Sequence, residues 1–322
     1  MRAACAVSIS PDDPLSGLAL CEVADPDPPE GWATVTVKAA ALNHHDLWSL
    51  KGVGLPAERL PMVLGCDAAG TADDGTDVVV HAVIGDPEAG RGDETLDPAR
   101  SLLSELHPGT LAEKVAVPRR NLVPKPANLS FEKAACLPTA WLTAYRMLTR
   151  DSGLRAGDTV LVQGAGGGVS TAAVVLGKAL GYRVWVTTRD PAKARRVLEL
   201  GADASFASGE RLPEKVDAVV ETVGRATWSH SLRSLRPGGT VVVAGATSGD
   251  DPPAELRRVF FLQLRVIGST MGTRDELEAL VDLVSRQDVE IPIDATYPLD
   301  DVAAAFSRLA AGEAFGKVVV VP

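Results

Sequence analysis

The sequence predicts an α/β chain in which a doubly wound parallel sheet is joined to a β-rich unit. Three observations carry this reading. From Thr159 onward, short Val- and Leu-rich runs alternate with helical stretches. One of those runs passes straight into a glycine-rich turn that opens a helix. The first third, by contrast, is cut by Pro26, Pro28, Pro29, Gly52, Gly54, Pro56 and Pro61 into pieces too short for long helices. Strands that read as continuous Val/Leu runs are buried on both faces, as in a parallel sheet.

Taken in order, Thr34 to Ala39 alternates with period two, and Val78 to Val83 reads as a buried strand. Gly85 to Arg100 is loop-like. A helix is expected from Phe131 to Arg150, with Ser130 as its N-cap. Next come a strand from Thr159, a helix from Ser170 to Leu180 closed by Gly181, and a strand over Arg183–Thr187. Asp190-Pro191, cap and first-turn proline, starts a helix that stops before Gly201. Strands at Val216–Val220, Thr240–Ala244 and Leu264–Ile267 and a helix over Arg274–Arg286 complete the alternation. Lys317–Val321 is a strand standing beyond it, expected to return to the N-terminal unit. The implied domains are a discontinuous β-rich one, 1–124 and 290–322, and a sheet domain, 125–289.

Composition narrows the functional classes. A chain of 322 residues, 46% hydrophobic and 23% charged, has room for two globular cores. Aromatic residues are only 4%, so the cores must be built mainly from Ala, Val and Leu. A net charge of -10 argues against nucleic-acid or anionic-membrane partners. No apolar run reaches the ~18 residues of a membrane span, and the N-terminal apolar stretch is interrupted too soon for a signal peptide. Cys5, Cys21, Cys66 and Cys136 are scattered, which suits reduced thiols and a cytoplasmic location.

The strand from Thr159 runs into Gly164-Ala165-Gly166-Gly167-Gly168-Val169-Ser170. Glycines let a pyrophosphate approach the backbone, and the helix that follows presents unpaired N–H groups. Ala165, Gly166, Gly167, Gly168 and Val169 are therefore assigned to the cofactor. Ser170 stands where the close-packing glycine of the fingerprint would fall. An NAD site usually carries an acidic residue at the end of the second strand, about 20 residues on. Here that end reads Thr187-Thr188-Arg189, with Lys193 one helical turn later. Arg189 and Lys193 suit a 2'-phosphate, so NADP(H) is expected. The competing reading is a solvated basic helix start, with Arg195, Arg196 and the negative Asp190 nearby. Val223, Ala244 and Gly245 lie at strand ends on the sheet edge where nucleotides bind.

The order of motifs resembles medium-chain dehydrogenase/reductases. Those motifs are Ala39–Trp48, Leu64-Gly65-Cys66-Asp67-Ala68-Ala69-Gly70, Gly109–Glu113, Thr143-Ala144-Tyr145, the glycine turn and Gly316-Lys317-Val318-Val319. The chain is most similar to the zinc-free quinone oxidoreductase branch. The resemblance implies a GroES-like catalytic domain, a Rossmann domain, a cofactor in the cleft between them, and a dimer or tetramer, of which a homodimer is expected. It also implies that the catalytic zinc positions of the alcohol dehydrogenase branch correspond to Asn43, Cys66 and Thr139, of which only Cys66 is a soft ligand. Between Gly85 and His107 there is no cysteine to form a structural zinc lobe. No metal is therefore expected, although His44, His45, Cys66 and Asp67 leave an unconventional site open.

Asn43 is expected near the nicotinamide, and Thr139 near the nicotinamide or its ribose. His45, where the zinc branch carries a proton-relay hydroxyl, is a candidate proton donor, with a structural or surface histidine as the alternative. In an extended segment, His44 and His45 would face opposite ways. Trp48 is a candidate wall of the substrate pocket. Cys66 and Cys136 read as buried small residues, with no basic partner apparent. The loop Thr71–Asp77 is shorter than the family's usual one. The expected activity is NADPH-dependent reduction of a quinone, enone or aldehyde without zinc. The alternatives are an alcohol dehydrogenase with an atypical zinc site and a non-catalytic NADPH-binding scaffold.

Overall fold

A computed structural model describes all 322 residues. It divides into two compact units, Met1–Leu142 with Met271–Pro322, and Thr143–Thr270.

The second unit is built on six parallel strands: β1 (Thr159–Gln163), β2 (Arg183–Thr188), β3 (Ala204–Ala207), β4 (Val216–Glu221), β5 (Leu235–Val243) and β6 (Arg265–Gly268). Their spatial order is β3-β2-β1-β4-β5-β6. This is the doubly wound order of dinucleotide-binding folds, whose ligand crevice lies where the strand order reverses, at β1 and β4. The central strands are apolar on both faces, and Val160, Leu161, Val162, Val219, Val241 and Val242 are fully buried or nearly so. Helix Gly168–Ala179 packs on β1 and β2. The close-packing role that Ser170 lacks falls to Gly177, where an added Cβ would stand 2.8 Å from Val184 Cγ2.

The first unit is mainly antiparallel. Trp32–Ala41 is its longest strand, pairing with Asp67–Ala72 on one side and with Lys114–Pro118 along its first half. The C-terminal strand Lys317–Val321 does return here, running antiparallel to Ala40 and Ala41 and parallel to Ile293–Pro298. The short Thr71–Asp77 connection makes a tight hairpin between Asp67–Ala72 and Asp77–Val80. Its core joins Val35, Leu50, Leu64, Leu111, Phe306 and Val318 with many alanines, as the scarcity of aromatics requires.

Two segments expected with the parallel sheet pack in this first unit instead. Helix Phe131–Ala135, capped by Ser130, lies on strands Trp32–Ala41 and Asp67–Ala72. Helix Arg274–Gln287 turns Leu277, Leu280, Val281 and Val284 inward, and packs on Leu122–Pro124 and Leu137–Trp141. Inside the expected Phe131–Arg150 helix, Leu137–Trp141 and Met147–Asp151 are wide π-type turns. Pro138 lies within the first of them, where its missing N–H and its ring are incompatible with regular α-helix. No helix is long and apolar enough to cross a membrane.

Candidate cofactor and catalytic sites

In the second unit, the turn after β1 holds Gly164 at φ +83° and Gly166 at φ +96°, a left-handed region that side chains other than glycine rarely adopt. Gly167 then caps helix Gly168–Ala179. An added Cβ at Gly166 would lie 3.3 Å from Lys193 Nζ, so the lysine rests against the turn. Ser170 Oγ donates to the Gly167 carbonyl at 3.0 Å.

Beside this turn is a cavity of about 460 Å³. Ala165, Thr188, Arg189, Lys193 and Val223 line it, together with Ser208, which sequence reasoning missed. Gly166, Gly167, Gly168 and Val169 continue the turn into the helix without lining the cavity. Nor do Ala244 and Gly245 line it; the loop beyond them supplies Thr247 and Ser248 to its wall. Asp190 also borders the space, but its carboxylate accepts from the N–H groups of Ala192 (2.7 Å) and Lys193 (3.4 Å) as a helix cap. Its charge is thereby directed to the helix N-terminus.

The shape of the cavity depends on a buried carboxylate. Glu221, fully buried at the end of β4, accepts from the backbone N–H of Val223 (2.8 Å) and Gly224 (3.0 Å). It also accepts from the hydroxyls of Thr227 and Ser231. Gln163, at the end of β1, accepts from Thr187 Oγ1 at 2.6 Å and donates to Ser231 Oγ at 3.0 Å. The strand ends are thus fixed to one another by side chains.

In the first unit, Asn43 ends the strand segment and precedes a helix, His44–Leu50. Asp46 Oδ2 accepts from the Asn43 N–H at 2.8 Å, which starts the helix at once. His44 and His45 therefore lie on a helical turn rather than in an extended segment. His44 is exposed with Trp48 one turn later, at 37% exposure, while His45 faces inward.

Around His45 three chain segments converge. Glu105 Oε1 is 3.0 Å from His45 Nε2, and Cys66 Sγ is 3.3 Å from Nδ1. Cys66 thus has the basic partner that its sequence neighbourhood does not show. Its thiol donates to the Leu103 carbonyl at 3.2 Å, and burial pushes its pKa up. Burial also disfavours a charge on His45, but Cys66, Glu105 and Asp46 together outweigh it and raise the imidazole pKa. Burial lifts fully buried Asp46 to about 6.

Asn43 faces a different partner. Lys317, 2% exposed, donates to Asn43 Oδ1 (2.6 Å), Asp67 Oδ2 (2.9 Å) and the Leu42 carbonyl (2.7 Å). All three ammonium hydrogens are used. A lysine heading an otherwise all-valine strand was a legible sign of such a partner, because lysine is almost never fully buried unpaired. Thr139 Oγ1, on the wide turn, is buried with no hydrogen-bond partner.

His45, Asp46 and Cys66 bring ligand-type atoms within 4.8 Å of one another. A zinc site needs a thiolate and a free imidazole lone pair. The Cys66 thiol is engaged with Leu103, and the His45 nitrogens face Glu105 and Cys66. Asn43 and Asp67 hold the Lys317 ammonium, leaving only Cys66 and Thr139 of the three expected zinc positions.

Comparison with known proteins agrees with this architecture. The family model described as an alcohol dehydrogenase GroES-like domain matches residues 29–127, and one described as a zinc-binding dehydrogenase matches 193–320. Acryloyl-coenzyme A reductase of Metallosphaera sedula is 31% identical, over 94% of this chain and 96% of that one. Quinone oxidoreductase of Pseudomonas aeruginosa is 31% identical over 93% of each. Among solved structures, an NAD-dependent alcohol dehydrogenase superposes with a TM-score of 0.92 at 34% identity, covering all of both chains. A 2-octenoyl-CoA carboxylase reductase in complex with NADP and 2-octenoyl-CoA does so at 0.90 and 26%, over 99% of this chain and 87% of that one. The chain belongs to the medium-chain dehydrogenase/reductase superfamily.

Proposed function

We propose that the protein is an NADPH-dependent reductase of activated double bonds, acting on an enone or quinone, or on an aldehyde, without catalytic metal. The observation that carries this is the cavity at the end of β2. Arg189, Lys193, Thr188 and Ser208 stand where an acidic residue would select NAD, and Asp190 is turned to its helix. Cations and hydroxyls there suit a 2'-phosphate. The positive-φ turn at Gly164–Gly166 and the N-terminus of helix Gly168–Ala179 suit the pyrophosphate.

When bound, the reduced nicotinamide supplies a hydride. The chain's own residues orient and protonate. Thr139 offers a buried, unpartnered hydroxyl to the nicotinamide or its ribose. The oxygen of Asn43 is held by Lys317, so its amide N–H hydrogens, one of them weakly bonded to Ala41 at 3.4 Å, remain for a carbonyl oxygen. His45 supplies the proton that balances the hydride. Trp48 offers an exposed aromatic face to an apolar substrate.

The relatives bear on the substrate class. Their names specify reduction of acryloyl-CoA, crotonyl-CoA and quinones, all with a double bond conjugated to a carbonyl. The deciding assay compares kcat/KM for NADPH and NADH on an enone, a quinone, an aldehyde and an alcohol, with metal analysis of the same sample. NADPH-driven enone or quinone reduction by metal-free protein is expected. NADH preference, or activity that follows zinc content, overturns the reading. We further propose that the working form is a homodimer joined along β6.

A further inference from the structure

The segment Leu102–Glu105, in the region that carries no cysteines for a structural zinc lobe, wraps around His45 and Cys66. The Leu103 carbonyl takes the Cys66 thiol hydrogen at 3.2 Å, and Ser104 Oγ lies 3.8 Å from the same sulfur. Glu105 then reaches His45. The backbone is held for this purpose: Ser104 sits at φ +69°, and the Glu105 N–H closes a turn onto the Leu102 carbonyl at 3.2 Å. A left-handed non-glycine residue is uncommon and is kept where its surroundings demand it. The Glu105 carboxylate is fixed at its other oxygen by the Leu102 N–H, 3.3 Å away. Gly54 leaves it room, since a Cβ there would lie 2.8 Å from Glu105 Oε1.

Hydrogen-bond chemistry decides what this does to the ring. A carboxylate only accepts, so His45 Nε2 carries a hydrogen toward Glu105. Cys66 Sγ lies within reach of both the Leu103 carbonyl and His45 Nδ1, so the second ring nitrogen also has a partner. A carboxylate bonded to Nε2–H stabilises the protonated ring over the neutral one.

We propose that Glu105 is a positioning residue that fixes the orientation of His45 through Nε2–H and favours its protonated form. This deepens the proposed reductase reading, in which His45 is the donor. The ionisable groups that face the ring are Glu105, Cys66 and, from its own helix, Asp46. Only Glu105 both bonds the ring and is partly exposed, at 23%.

The test is Glu105→Gln, with Glu105→Asp as the conservative control. The His45 ring is titrated by NMR, its signals assigned with His45→Gln, and kcat/KM for NADPH and an enone is measured against pH. Glu105→Gln is expected to lower the pH at which the ring loses its proton by at least one unit. The alkaline fall in rate should move with it while KM for NADPH stays unchanged, and Glu105→Asp should restore part of the shift. An unmoved ring titration in a folded Glu105→Gln protein overturns the proposal. A shifted ring with an unshifted rate profile upholds the role of Glu105 and overturns His45 as the proton donor.

Discussion

Lys317 and Asp67, 250 residues apart in the chain, form a buried ion pair with Nζ and Oδ2 2.9 Å apart and side-chain exposures of 2% and 0%. Asn43 completes the lysine's shell, so one ammonium ties the C-terminal strand to the start of the His44 helix and to strand Asp67–Ala72. Removing one partner of a buried pair strands the other charge, which costs about 3–5 kcal/mol. Lys317→Met should therefore lower the denaturant midpoint by an amount equivalent to about 3–5 kcal/mol. Adding Asp67→Asn should recover much of that loss, because the orphaned charge is gone. Equal stability of Lys317→Met and wild type would show that the pair carries no such weight.

The cavity beside the glycine turn gives a second prediction. Replacing Arg189 and Lys193 together by alanine removes two charged partners of the proposed 2'-phosphate. Hydrogen bonds to charged groups contribute about 1.5–3 kcal/mol each, so losing both should raise KM for NADPH on the order of 100-fold or more. KM for NADH, which lacks that phosphate, should hardly change. A parallel loss for both cofactors would mean that the two cations act on the shared part of the molecule or on the fold.

What the sequence made legible was local. The strand–glycine turn–helix unit, the alternation from Thr159 and the return of Lys317–Val321 all follow from periodicity and turn chemistry within short windows. Partnerships across the sheets were not accessible to such reasoning. Lys317 meets Asp67 250 residues away because their strands both pair with Trp32–Ala41, and Glu105 meets His45 60 residues away because the turn after Leu102 reaches the His44–Leu50 helix. Ser208 reaches the cavity from the turn that follows β3, the strand beside β2, which no spacing rule ties to the glycine turn. The extended reading of His44 and His45 had a local remedy: Asn43 with Asp46 three residues later is a helix-start signal. The helices Phe131–Ala135 and Arg274–Gln287 were legible as helices. Their packing partners were not, since an apolar face does not say which surface it meets.

Acid sensitivity should trace to Glu94. Burial opposes its charge, but His81, 3.3 Å away, and the Arg274 N–H outweigh this and lower its pKa from 4.5 to about 2. The Arg274 N–H approaches Glu94 Oε1 at 2.6 Å. A carboxyl group with a lowered folded-state pKa contributes stability that is fully present above its unfolded value. That contribution is lost as pH falls from about 4.5 toward about 2. Denaturant midpoints measured over this range should fall more steeply for wild type than for Glu94→Gln. Parallel pH dependences would remove Glu94 from the account.

The last prediction concerns the open edge of the parallel sheet. β6 pairs with β5 on one side only, and its Val266 is 45% exposed. On the preceding helix, Leu256–Phe261, Leu256 and Phe260 are each 69% exposed and Phe261 76%. Single exposed apolar residues are ordinary, but several together beside an unpaired strand edge make a surface that another chain would cover. A second copy of this chain is the proposed occupant, pairing β6 with its symmetry mate so that the same patch serves both subunits. Phe260→Ser with Phe261→Ser should convert a dimer to a monomer in light scattering at micromolar concentration. A proline at Val266 should do the same by removing a backbone donor from the edge while leaving both phenylalanines in place. If wild type is already a monomer at the highest soluble concentration, the homodimer fails. If only the proline variant dissociates, strand pairing rather than the aromatic patch holds the subunits together.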